Sequence, residues 1–286
     1  MPLYMDIHNL PEGTTPEDVE KAHAKDMETQ RKYGVEYPKY WVNERMISRL
    51  VCLVIAVFAL GNLAVGQTVD DPSRIEVYVT PYYNSKGPVI DVGRFSQGLA
   101  ANNEAEFVAA IAKMKQAWDN LTFPEMYVAA IRLYDQGFRN EATYWFYSAQ
   151  YRGRLLASLV DREKMGSMGD PGFELVQAAN AFQQLVGPYI NGYAFGDIDN
   201  VVRIVERVQK ENRALPDLNK IYPRVIFKKK SEWEAGNSGL SEGLTKFLAT
   251  LKEQKADIKR QRAERGMDAK FSKLPNKPLP NTSGSR

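Results

Sequence analysis

AAIRLYDQGFRNEATYWFYSAQ, residues 129–150, is the stretch on which the fold turns. Ala130, Leu133, Ala142, Phe146 and Ala149 fall at helical spacings on either side of Gly137. Small residues stand where two helices would touch, a large apolar residue lies between them, and glycine, which adopts left-handed backbone without strain, sits at the turn. The pattern predicts a helical hairpin. No matching copy follows at a period of about 34 residues, so a solenoid of three or more repeats is not indicated.

The second half of the hairpin runs into TYWFYSAQYRGR, with more rings than one helix face can bury, since Trp145 and Phe146 cannot point the same way. Two readings stand. Tyr144, Tyr147, Tyr151, Arg152 and Arg154 could line a groove for a peptide or protein partner, or the helix is buried on most sides. The order of residues 129–150 resembles one tetratricopeptide-like or Sel1-like hairpin inside an irregular helical domain.

Outward from the hairpin the chain stays helical. Phe107, Ile111, Met114 and Trp118 form one face of a helix beginning near Asn102 and ended by Phe123-Pro124. After the glycine-rich MGSMGDPG, Phe173 to Val186 predicts another amphipathic helix, and GPYINGYAFGD a turn-rich loop. Asp197 is placed to cap a helix over 198–212. Residues 215–243, with two prolines, three consecutive lysines and three glycines, read as a long connection holding a short element near Val225 to Lys228. A last helix is expected over 240–265, with Leu244, Phe247, Leu248, Leu251 and Ile258 inward, and 266–286 as a disordered, proline-rich tail. Upstream, Ile75, Val77 and Val79 alternate before NSKG and Pro88 turn the chain toward Val89, Ile90 and Val92, which predicts a small β-hairpin within 67–101.

MISRLVCLVIAVFALGNLAVG, residues 46–66, is of another kind: from Leu50 to Val65 there is no charge, and ten of sixteen residues are Leu, Val, Ile or Phe. Arg45 and Arg49 before it and the small residues at its end give the pattern of a signal peptide or a single transmembrane helix. The expected location is the cell envelope, with the C-terminal domain outside the cytoplasm, or secreted or periplasmic if the chain is cut after Gly66. Cys52, the only cysteine, lies inside this stretch, so no disulfide forms within the chain.

Residues 1–45 carry MPLYMDIHNLPEG, then TPEDVEKAHAKDMETQRKYGVEYPKYWVNE: an alternating strand, a helix capped at Thr15 and a second strand. They resemble the first half of small nickel-binding proteins with a ferredoxin-like fold. The resemblance implies an incomplete β-α-β domain whose first strand lacks its partners, so pairing with another copy as a homodimer is one expectation. His8 and His23, the protein's two histidines, and Asp26 are the candidate nickel ligands.

The whole is therefore expected to be mainly α: a partial ferredoxin-like β-α-β fragment (1–45), a hydrophobic signal or transmembrane helix (46–66), a small β-hairpin (67–101), and an irregular tetratricopeptide-like helical domain (102–265) with its tail. Residues 67–286 contain no His and no Cys, which removes histidine triads, thiol nucleophiles and the usual zinc sites. Residues 50–251 carry 21 basic against 22 acidic side chains, and such a neutral body argues against nucleic acid. The tail from 252 onward holds ten against four. Two functions remain: an exported or membrane-anchored helical module that binds a protein or peptide partner, and a nickel-binding protein with the helical part as passenger.

Overall fold

The computed structural model divides the chain into two units, Met1–Leu50 and Val51–Arg286. It describes residues 69, 71–75, 93–167 and 169–280, with the backbone of 83, 84, 87 and 88, all in the second unit. The ferredoxin-like fragment, His8, His23, Asp26, the apolar stretch 46–66 and most of the anticipated strand residues lie outside the described residues. The described chain is mainly helical.

Two short pieces, β1 (Tyr83–Asn84) and β2 (Gly87–Pro88), pair antiparallel. The helices are α1 (Ser96–Ala100), α2 (Glu104–Gln116), α3 (Phe123–Asp135), α4 (Arg139–Leu159), α5 (Pro171–Ala194), α6 (Ile198–Glu211), α7 (Leu218–Ile221), α8 (Trp233–Glu253), α9 (Lys255–Glu264) and α10 (Met267–Phe271).

The hairpin is α3 and α4. Thr122 opens α3 with a capping box: Glu125 N–H donates to Thr122 Oγ1 at 3.3 Å, and Thr122 N–H to Glu125 Oε2 at 2.7 Å. The helix ends at Gly137, whose φ of +89° lets Phe138 N–H reach Leu133 O at 2.9 Å and Gly137 N–H reach Tyr134 O at 3.0 Å. Those two bonds satisfy the last carbonyls of α3 and reverse the chain.

Helix α4 is the axis of the body, packed by α3, α5, α6 and α8. Ala142, Trp145, Phe146, Ala149 and Leu156 have no exposed surface. Asp197 does cap α6, accepting from Asn200 N–H at 3.0 Å.

Three expectations are corrected. Helix α5 does not stop at Val186 but continues through Gly187 and Pro188 to Ala194. Proline removes one donor and disfavours a helix interior, yet the continuation, about two turns long, buries Tyr189, Ile190 and Ala194, which offsets the lost bond. Helix α8 begins at Trp233 rather than Leu240. Its Gly236 lies so close to α4 that a Cβ would stand 2.8 Å from Leu159 Cδ2, so this glycine serves close packing inside a helix. The final helix also breaks at Gln254 into α8 and α9.

The third correction concerns the tail. Residues 266–280 lie against the body: Phe271 is 3% exposed, and Leu274 and Leu279 pack on the core. Composition made this segment look unable to bury itself, but its contacts are to distant residues. Gly192 admits the Phe271 ring, and carbonyl and amide groups of 275–277 bond the turn between α3 and α4.

Candidate interaction surface

The five residues proposed for a groove lie on α4. Tyr144 is 1% exposed, donates to the Glu211 carboxylate and stacks on Trp118 at 5.5 Å, with the Arg207 guanidinium over its ring. Tyr147 donates to Asn191 Oδ1 at 2.9 Å, and Tyr151 to Asn237 Oδ1 at 2.7 Å. Burial raises all three phenols, Tyr151 to about 12. Arg152 is buried too, its Nη1 donating to the carbonyls of Trp118 at 2.8 Å and Leu121 at 3.2 Å. Arg154 is half-buried, and desolvation brings it down to about 10. The structure brings Tyr144 and Arg152 together around Trp118 but directs Tyr147 to α5 and Tyr151 to α8. Three of the five thus hold helices to one another, and Arg152 holds the connection between α2 and α3 to α4.

The ends of the α3–α4 hairpin differ. At the turn end the chain before and after the helices converges. Ile75 N–H donates to Asp135 Oδ1 at 2.9 Å, Tyr134 Oη to Pro72 O at 2.7 Å, and Arg139 to both Ser73 O and Pro275 O. Burial pushes Asp135 up to about 6 despite the Ile75 amide and the nearby Arg132, Arg74 and Arg139.

At the opposite end the segment 215–233 crosses from α6 to α8. Tyr222 Oη accepts from Phe123 N–H at 2.9 Å, an otherwise unbonded amide at the start of α3. Phe227 bridges Val160, Asp161 N–H donates to Ile226 O at 3.0 Å and Lys228 N–H to Leu159 O at 2.8 Å, so this turn is fixed to the end of α4. Trp233 Nε1 donates to Lys228 O at 3.0 Å and closes it from behind.

That turn presents Ile226 to solvent at 52% exposure; the other large apolar side chain exposed among the described residues is Leu185. Residues 218–231 carry Lys220, Arg224, Lys228, Lys229 and Lys230 and no acid. Lys228 Nζ is held on Ser158 O at 2.9 Å, and Lys230 lies 3.9 Å from Asp217. Arg224 and Lys229 are exposed, with no ion pair among the described residues. Residues of the segment help to line two clefts. One, of about 520 Å³, is lined by Arg94, Asn120, Thr122, Glu125, Lys220 and Ile221. The other, about 260 Å³, lies between Leu215, Pro216, Asp217, Lys230, Trp233 and Glu234. The three lysines were visible in the sequence, but that they follow an exposed isoleucine on a fixed turn required the bonds to 159–161.

No cluster of three or more His, Cys, Asp or Glu side chains suited to a metal occurs among the described residues. None of the described helices is long and apolar enough to cross a membrane.

Comparison with known proteins gives two likenesses. Residues 4–57 match the family described as nickel responsive protein SCO4226-like. Over 174 residues the chain is 25% identical to an uncharacterized protein of Haemophilus influenzae, covering 59% of this chain and 64% of that relative. No solved structure matches.

Proposed function

We propose that the helical body is an interaction module of the cell envelope, held by residues 46–66 as a single membrane span or released after Gly66, and that it binds an acidic protein partner at its 215–233 end. The observation that carries this reading is Ile226, half exposed in the middle of five cations with no acid between them. Apolar contact gives such a site affinity, and complementary charge gives it orientation and a faster on-rate. Tyr144, Tyr147, Tyr151 and Arg152 serve the site as the rigid core behind it, and the fold is that of a lone tetratricopeptide-like hairpin elaborated by further helices.

The position of the turn favours a protein over lipid headgroups. Residues 71–75, which follow the apolar stretch, dock at the other end of α4. A helix of 21 residues is about 31 Å long, so an anchored body would hold the basic turn on its side away from the anchor. The test is site-specific photocrosslinking from residue 229 in an envelope preparation, with Ile226→Ser and Arg224→Glu as variants. One crosslinked protein, lost in both variants, is the expected result; a pattern unchanged by either variant refutes the reading.

The second reading is nickel capture by His8, His23 and Asp26, favoured by the match over residues 4–57. Two histidines and one carboxylate leave the coordination shell of nickel incomplete, so a second copy paired through residues 1–45 would complete it. Nickel titration of the full chain against a His8→Ala, His23→Ala variant decides it: equal binding by both removes the reading.

A further inference from the structure

The segment after α10 lies across the α3–α4 turn much as a peptide ligand lies on a receptor. Pro275 O accepts from Arg139 Nη1. Asn276 Oδ1 accepts from Asn140 N–H at 2.9 Å, one of the first-turn amides that a helix leaves without a partner, and Phe138 at the cap position supplies no side-chain bond. Lys277 N–H donates to Gly137 O at 2.8 Å, its Nζ stands 3.1 Å from Glu104 Oε2, and it lies over the Phe138 ring. Leu274 and Leu279 add apolar contact on either side. Arg139 is 5% exposed, and its Nε has no acceptor among the described residues, so the receptor face holds a donor still to be used.

Main-chain groups at 275 and 277 and side chains at 276 and 277 are read from a chain that prolines at 275, 278 and 280 keep extended. The receiving groups come from the hairpin, except for Glu104 of α2, and the connection from the buried Phe271 is short and polar. We propose that the α3–α4 turn is a recognition site for an extended, proline-flanked Asn-Lys peptide, and that the chain's own residues 273–280 are its resident ligand. A partner segment of the same chemistry binds by displacing them. Arg139 also holds Ser73 O at 3.2 Å, so displacement is felt by the segment that follows the apolar stretch. This site is separate from the basic end and does not depend on it.

The test uses the full chain and a fluorescent synthetic peptide of residues 271–280 as probe. In the unmodified chain the tethered copy competes; Asn276→Ala with Lys277→Ala weakens that competitor. Removing the hydrogen bond of Asn276 Oδ1 weakens the tethered copy by up to about tenfold, so the double variant should bind the probe more tightly than the unmodified chain by up to about tenfold. Lys277→Ala alone removes the exposed pair with Glu104 and the ammonium over the Phe138 ring, keeps the main-chain bond to Gly137 and the Asn276 bond, and should give a smaller tightening. A probe carrying alanine at both positions should lose this gain. Equal binding of the probe by the unmodified chain and both variants, or equal binding of the alanine probe, overturns the proposal.

Discussion

Gly192→Ala puts two opposing effects on one residue. In an ordinary helix interior the change stabilises by about 1 kcal/mol, because alanine loses less backbone entropy than glycine. Here Gly192 lies in α5 against Phe271, and a Cβ would stand 2.3 Å from Cζ, 2.6 Å from Cε2 and 2.8 Å from Cε1. The ring must move. Phe271 is 3% exposed, and full burial of such a side chain stabilises by roughly 1.5–3 kcal/mol. Complete expulsion would forfeit that amount and partial sliding some of it, so the net effect after the helix gain is a loss of up to about 2 kcal/mol.

Urea unfolding of the full chain measures the net change, and limited trypsin digestion locates it. Release of Phe271 should expose Lys270 and Lys273 to cleavage before the rest of the body is cut. The double variant Gly192→Ala, Phe271→Ala isolates the clash, because once the ring is gone the new methyl group should stabilise rather than destabilise. A single variant that is about 1 kcal/mol more stable than the unmodified chain, with tail cleavage unchanged, would refute the close packing of α10 on α5.

Three further changes probe the ends and the side of the hairpin. Asp135 has a folded pKa near 6 against an ordinary 3.8, so the folded state holds more protons across that window and stability falls as pH rises from about 4 to 6. Asp135→Asn keeps an acceptor for the Ile75 amide, should remove that slope, and should raise stability at pH 7.5 by up to about 3 kcal/mol; urea midpoints at pH 4.5 and 7.5 check it. Tyr222→Phe strands the buried Phe123 amide and should cost about 1–3 kcal/mol in the same assay. Burial raises Glu141, but Lys115 and Arg207 outweigh it and hold the carboxyl below its usual value. Its contribution is present at neutral pH and lost as pH falls through that lowered value. Glu141→Gln should therefore cost about 1–3 kcal/mol at pH 7 and much less at pH 3, read by thermal melting.

The hairpin was legible because its signals are local: helical spacing on both sides of Gly137, and a positive-φ position that glycine accepts. The Asp197 cap was legible for the same reason. Continuation of α5 through Pro188 was not, since the unfavourable local signal is outweighed by burial against elements far along the chain. Gly236 and Gly192 misled similarly: a glycine that ends a helix and one that lets another side chain approach look alike in sequence. Aromatic residues of α4 were recognised as too many for one face, but whether the excess met solvent or protein depended on α5, α6 and α8 arriving around them. The packing of residues 266–280 was not legible, because composition reports whether a segment can fold by itself and says nothing of partners elsewhere in the same chain.

Arg139 shows why the turn end of the hairpin matters beyond stability. One guanidinium bonds carbonyls from Ser73 and Pro275, segments about two hundred residues apart in sequence, and each bond of a charged donor contributes roughly 1.5–3 kcal/mol. Losing either carbonyl therefore weakens the setting of the other, a coupling of the size that links two binding events in allosteric proteins. The linkage is reciprocal: whatever pulls residues 71–75 away from Asp135 and Arg139 must also loosen 275–277. Protonating Asp135 is a milder way to disturb the same end, and as pH falls through about 6 tail protection should change together with global stability. Hydrogen exchange at the Lys277 amide across pH 5–7.5, corrected for intrinsic rate, reads this directly; protection independent of pH while Ile75 exchange changes would separate the two segments and remove the coupling.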